Sequence, residues 1–167
     1  MPEPKNVLIV VDAFPASGGG RIDKFIKYLP QFDLRPIVLS AKETDSPYRQ
    51  EIKNRYFPKD LKAWHAKSIG HSLFSDRFLM RGRGAKYYNL LKVLSFPERF
   101  FLIPDHMVRW VPLGVCRARR LIQDGKIGVV LTSSPPESTH LIGMLLKRYA
   151  GIRWVADFRD LWIEKKL

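Results

Sequence analysis

The residues able to do chemistry in this chain fall into two groups. The larger one lies late: Ser133 and Ser134, then His140, then Asp157, Arg159 and Asp160. Hydroxyls, an imidazole, carboxylates and a guanidinium can together bind an oxygen-rich ligand, orient a hydroxyl and grip a phosphate through charge-assisted hydrogen bonds. The same residues also permit blander roles. Arg159 with its neighbouring acids could form an ion-pair knot that pins a strand end, and His140 could be a partly buried helical histidine. The second group is Gly18-Gly19-Gly20. Three residues without side chains let a backbone approach a ligand closely, and a helix starting behind them offers unpaired N–H groups to an anion. A phosphate- or sugar-facing loop and a flexible turn both fit. A nicotinamide dinucleotide fingerprint fits poorly. Gly18 and Gly20 supply G-x-G, but Asp23 stands where the third glycine belongs, and Leu39-Ser40 offers no acid to a ribose.

These residues need elements to hold them. Residues 129–162 read as one strand–helix–strand unit. Val129, Val130 and Leu131 form an apolar run that Ser133 to Pro136 breaks. Ser134 and Glu137 have the spacing of a capping box, with prolines in the first turn. Ser138, Leu141, Ile142, Leu145, Leu146 and Tyr149 follow at helical spacing, and Gly151 stops the helix. Ile152 to Ala156 is a second buried strand, with Asp157 to Asp160 at its carboxyl end. The chain opens in the same way. Asn6 to Val11 suits a central parallel strand, Asp12 to Gly20 a loop, Ile22, Phe25, Ile26 and Leu29 a helix ended by Pro30, and Pro36 to Ser40 a second strand. Ala41 to Asp60 reads as a charged, partly helical linker and Ala63 to Ile69 as a short third strand. His65 and His71 lack partners at metal-ligand spacing, so both read as exposed or structural. After a turn at Pro104-Asp105, Val108, Val111, Val115, Ala118, Leu121 and Ile122 mark an amphipathic helix with Arg117, Arg119 and Arg120 outward, closed by Asp124-Gly125.

Alternating strands and helices predict an α/β, Rossmann-like fold: a mostly parallel sheet flanked by helices, with right-handed crossovers. The first strand should lie between the second and a strand of the later half. The loop after the first strand and the loop at Ser133 to Pro136 would then flank one crevice where the winding reverses, with Asp157 to Asp160 on its rim.

Bulk composition limits the partners. The 167 residues are 46% hydrophobic, enough for one domain with a sizeable core, and carry a formal net charge of +13. That charge points to an anionic partner (nucleic acid, an acidic membrane or phosphorylated ligands) or serves solubility alone. The lone Cys116 excludes an intrachain disulfide and reads as a packing residue in a reducing compartment. The N-terminus lacks the pattern of a secretory signal, and no apolar run approaches the ~20 residues that span a bilayer. Within about 42–103 the segment 72–103 interleaves basic and apolar residues. Phe78, Arg81, Arg83, Lys86, Tyr87 and Tyr88 would suit an anionic membrane surface. An insertion packed on the sheet with its basic edge to water fits equally. Nucleic-acid binding fits less well, because no RNP-like or helix-turn-helix pattern accompanies the aromatics and arginines.

The stretch LTSSPPESTHLIGMLLKRYAGIRWVADFRDLW closely resembles the late part of the N-terminal domain of family 4 glycosyltransferases, which have the GT-B fold. IPDHMVRWVPLGVCRARRLI resembles the stretch before it, and NVLIVVDAFPASGGG the first strand and glycine loop. The likeness covers about residues 5–41 and 101–162 and is weak across 42–100. It implies one acceptor-side domain over 1–167, with a variable basic–aromatic insertion, belonging to a retaining enzyme that moves a sugar from a nucleotide-sugar to a polysaccharide, glycolipid or lipid-linked acceptor. It implies that Gly18, Gly19 and Gly20 approach the donor diphosphate or transferred sugar, and that Ser133, Ser134, His140, Asp157, Arg159 and Asp160 line the acceptor side. Asp160 would orient an acceptor hydroxyl and Arg159 would meet a phosphate. No histidine stands beside Arg159 or Asp160, as it does in many relatives. No cofactor is implied beyond the nucleotide-sugar co-substrate, and no metal, since Asp157 and Asp160 do not form D-x-D. The implied partners are the acceptor, a donor-binding C-terminal domain or subunit, and an anionic membrane. The implied location is cytoplasmic or peripheral on the inner membrane face. The chain stops at Leu167 with no donor-binding half, so the chain alone is expected to be inactive; the alternative reading is a non-catalytic Rossmann-like module that docks on a membrane or a partner.

Overall fold

A computed structural model describes residues 5–14, 20–43, 57, 60–66 and 104–160. Five strands form one fully parallel sheet in the order β3-β2-β1-β4-β5. They are β1 (Lys5–Phe14), β2 (Leu34–Glu43), β3 (Lys62–His65), β4 (Ile127–Ser134) and β5 (Arg153–Phe158). Among the described residues three α-helices flank them: α1 (Arg21–Tyr28), α2 (Val111–Gly125) and α3 (Ser138–Ala150). The α/β, Rossmann-like architecture read from the sequence is the one observed.

The central strand shows why. Side chains alternate across a strand, and β1 is apolar on both faces. Val7, Ile9, Val11 and Phe14 pack with Ile22 and Ile26 of α1. Leu8 and Val10 pack on the other side with Trp110, Val111, Ala118, Ile142 and Leu146, which come from or adjoin α2 and α3. Burying each such large side chain contributes roughly 1.5–3 kcal/mol, and Trp110, Leu8, Ile26, Ile142 and Leu146 are completely buried. The α1 crossover thus lies on one face, and the crossovers through α2 and α3 lie on the other. The winding reverses between β1 and β4, the position where open α/β sheets leave a crevice at the carboxyl ends of their strands.

Several boundaries differ from expectation. β1 continues through Asp12, Ala13 and Phe14, where a loop was expected, because β2 also runs on and pairs Phe14 with Glu43. Ala41 to Glu43 are therefore strand and not linker. The third strand is confined to Lys62–His65, with His65 Nδ1 2.6 Å from Ser40 Oγ, a structural placement. A short 3-10 turn, His106–Trp110, precedes α2, and the left-handed residue closing α2 is Lys126, at φ 45°, just past Asp124-Gly125. Cys116 is exposed on α2 and so is not a packing residue. Gly151 ends α3 at φ 63°, as its helix-stop position requires. Among the described residues no helix is long and apolar enough to cross a membrane. His71 and the proposed membrane-facing set Phe78, Arg81, Arg83, Lys86, Tyr87 and Tyr88 lie outside the described residues.

Candidate functional site at the sheet mouth

Parallel register sets up the first contact of the site. Ser133 of β4 is paired with Asp157 of β5, which aligns the two side chains. Ser133 Oγ donates to Asp157 Oδ2 at 2.9 Å. Arg21, the first residue of α1, then reaches across from the other side of the winding reversal, and its guanidinium donates to Asp157 Oδ1 at 2.5 Å. Residues 136 positions apart in the chain thereby meet at one end of the sheet. The cation that Asp157 engages is thus Arg21, not its near neighbour Arg159. The guanidinium is half exposed while the Asp157 carboxylate is largely covered.

The start of α1 is built locally. Gly20 occupies the N-cap with extended backbone, and its N–H donates to Asp23 Oδ2 at 3.1 Å. Gly18 and Gly19 lie outside the described residues. Arg159 and Asp160 follow β5 at the same end of the sheet and are exposed.

The start of α3 is built from a distance. The capping box expected at Ser134–Glu137 does not form. β4 extends to Ser134, which is buried in the strand, and the helix begins only at Ser138, without a side-chain capping bond from Glu137. Asp105 supplies the cap instead. Its Oδ2 accepts from the Ser138 N–H at 2.7 Å, and its Oδ1 accepts from the Met107 N–H at 2.8 Å. One carboxylate thus serves two helix starts, where negative charge is favoured by the peptide dipoles.

His140 sits behind this rim. It is 5% exposed, buried more deeply than a residue open to a crevice would be. Its Nδ1 lies 2.7 Å from Thr132 Oγ1, which accepts from the Trp154 indole N–H at 2.8 Å. The Phe158 ring lies over the imidazole, with centroids 4.3 Å apart. Burial lowers the His140 pKa below the ordinary histidine value, outweighing the opposite pull of the Asp157 and Glu137 carboxylates, so the ring is neutral at neutral pH. Trp154 is held close because Gly143 of α3 has no side chain; a Cβ there would overlap the indole.

Arg21, Asp105, Thr132 and Trp154 shape the site without being marked as functional by the residue pattern. Thr132 carries the one readable signal, a hydroxyl inside the apolar run VVLT. Arg21 directly follows the glycine run, but its partner is set by tertiary structure. Among the described residues no group of histidines, cysteines and acids could hold a metal ion. A pocket of about 270 Å³ opens elsewhere, lined by Pro30, Asp33, Leu34, Arg35, Pro36, Asp60 and Leu61. It lies at the amino end of β2, opposite the mouth, and shares none of the converging polar groups.

Comparison with solved structures places this architecture beside a glycosyltransferase. Phytolacca americana UGT2, complexed with UDP-2-fluoro-glucose and pterostilbene, superposes with a TM-score of 0.52 at 15% identity, over 93% of this chain and 30% of that one. The apo form of the same protein gives a TM-score of 0.48 at 14% identity, over 92% and 29%. The chain thus spans about 30% of the length of the liganded structure. At this identity the likeness shows a shared Rossmann-like, GT-B-type fold, and it does not single out family 4. No protein-family model matches the chain, and no curated protein matches it.

Proposed function

We propose that this chain is the acceptor-binding, N-terminal half of a retaining glycosyltransferase, acting on a polysaccharide, glycolipid or lipid-linked acceptor. The observation that carries it is the Arg21–Asp157 contact. It joins the start of the first crossover helix to the end of β5 at the winding reversal, where this fold class binds ligands. The shared fold with a sugar-transferring enzyme supports the assignment, and the resemblance of the SSPP…H…ADFRDLW segment narrows it to family 4.

In this proposal Gly18 to Gly20 and the start of α1 face the donor diphosphate. Ser133, Ser134, His140, Asp157, Arg159 and Asp160 form the acceptor side. Asp160 orients the attacking hydroxyl, Arg159 or Arg21 meets a phosphate, and Asp157 fixes Arg21 in position. The acceptor oxygen forms the new bond to the anomeric carbon, the nucleoside diphosphate departs with the old bonding pair, and the hydroxyl proton passes to the departing diphosphate oxygen. A donor-binding domain or subunit supplies the rest of the nucleotide-sugar contacts, and the net charge of +13 suits work at an anionic membrane face. The isolated chain should not turn over a panel of nucleotide-sugars, whereas the same chain joined to its donor-binding half should transfer sugar. Turnover by the isolated chain, or failure of the joined halves, contradicts the assignment.

A further inference from the structure

Three consecutive residues at the start of α3 bury polar groups that nothing among the described residues satisfies. Ser138 Oγ, Thr139 Oγ1 and His140 Nε2 have no hydrogen-bond partner there, and the three residues are 0%, 0% and 5% exposed. Buried polar groups are nearly always paired in native proteins, so a run of three calls for an explanation. The helix start itself is not the vacancy, because the Asp105 carboxylate already occupies the anion position there.

The imidazole is held in a defined way. Thr132 Oγ1 accepts the indole hydrogen of Trp154 and has its own hydrogen free to give to His140 Nδ1. When that hydroxyl donates, the neutral ring carries its hydrogen on Nε2, which has no acceptor among the described residues. Phe158 covers the ring and is itself 52% exposed at the end of the edge strand β5. Access to Nε2 requires Phe158 to rotate off the imidazole.

The chemistry of these groups is that of a neutral ligand. With Asp105 on the helix start and Asp157 and Glu137 near His140, a second anion would meet three carboxylates. Hydroxyls match what remains, since each can accept from Nε2–H and donate to a serine or threonine oxygen. An exposed phenyl ring offers an apolar face to the C–H side of a sugar ring. We propose that the start of α3, with His140, Thr139, Ser138 and Phe158, is a subsite for an uncharged sugar unit. In this subsite Thr132 and Trp154 act as positioning residues that keep the Nε2–H tautomer. The inference takes the sugar class from the proposed function, and it separates a neutral subsite from the charged one at Arg21.

The test is binding to the 167-residue chain, read by NMR at the His140 ring nitrogens and the Ser138 and Thr139 amides, with glucose, galactose, mannose and N-acetylglucosamine as probes and inorganic phosphate in parallel. At least one sugar should shift these signals, with Nδ1 reporting an unprotonated nitrogen, and phosphate should not. Thr139→Val keeps the shape of the side chain and removes an unpaired buried hydroxyl. It should raise thermal stability and weaken sugar binding by roughly tenfold, the usual cost of losing a hydrogen bond the site was built to make. Phe158→Ser, at an exposed position, should weaken binding while preserving the tautomer. Phosphate shifting the same signals, no shift with any sugar, an Nδ1–H tautomer, or unchanged sugar binding in Thr139→Val each overturns the inference. Loss of transfer by the joined enzyme with these shifts intact would defeat the proposed function and leave the subsite standing.

Discussion

The beginnings of α1 and α3 face the same mouth but are built in opposite ways. At α1 the acid is local, Asp23 within the first turn, and Arg21 projects half exposed to bridge to Asp157. At α3 the acid is remote, Asp105 from 33 residues earlier, and the groups behind it are buried and uncharged. One half of the mouth is wet and charged; the other is dry and neutral. The difference teaches that a single crevice can hold two chemistries. Charge exposed to water adds little stability and remains free to engage a ligand, whereas neutral polar groups in a dry site must be satisfied or cost free energy.

The largest effect should come from the dry half. Thr132→Val removes the partner of both Trp154 Nε1 and His140 Nδ1. Each stranded group costs about 1–3 kcal/mol, so chemical denaturation should show a sum in the upper part of that combined range. Thr132→Ser should recover most of it. A loss below about 1 kcal/mol would mean that the chain of hydrogen bonds does not hold the dry half together.

Next comes Asp105→Ala. An N-cap is worth about 0.5–2 kcal/mol, and this carboxylate serves two helix starts. The loss should exceed that of Asp23→Ala, measured in the same way, because Asp23 caps one helix start, through the Gly20 N–H, where Asp105 caps two. Equal losses would erase the distinction between a remote and a local cap.

Acidification should give a smaller effect with a definite sign. The His140 pKa is lowered in the folded chain, so the unfolded chain takes up its proton first as pH falls. The stabilisation is fully present above the unfolded value, about 6.5. It declines below that, and the decline levels off beneath the folded value. The gap in melting temperature between wild type and His140→Gln should be constant above about pH 6.5 and narrow on acidification. Parallel profiles would show that His140 is not held neutral.

The sheet and its winding were legible because they rest on local pattern. The two-faced apolar run at β1, the helical spacing through Leu146 and the stop at Gly151 each survive tertiary packing. The strand ends were less legible. Asp12 and Lys42 look like loop residues, yet continued pairing between β1 and β2 carries both into the sheet. The cap of α3 was misplaced for a similar reason. Ser134 has the right spacing, but β4 claims it and two prolines delay the helix, so the capping acid comes from outside the local segment. At the site, the gathering of Ser133 and Asp157 follows from strand order alone. The Arg21 partner of Asp157 and the Thr132 and Trp154 supports of His140 depend on how neighbouring elements approach, which no spacing within one element encodes.

In the proposed function the charged contact across the winding reversal serves sugar transfer rather than folding. Arg21→Ala tests it most directly, in the chain joined to its donor-binding half, with transfer from a nucleotide-sugar and stability measured on the same variant. An arginine this exposed should contribute no more than about 1 kcal/mol to stability, while transfer should fall by roughly tenfold or more. Unchanged transfer, or a loss of activity matched by a loss of fold, contradicts the account.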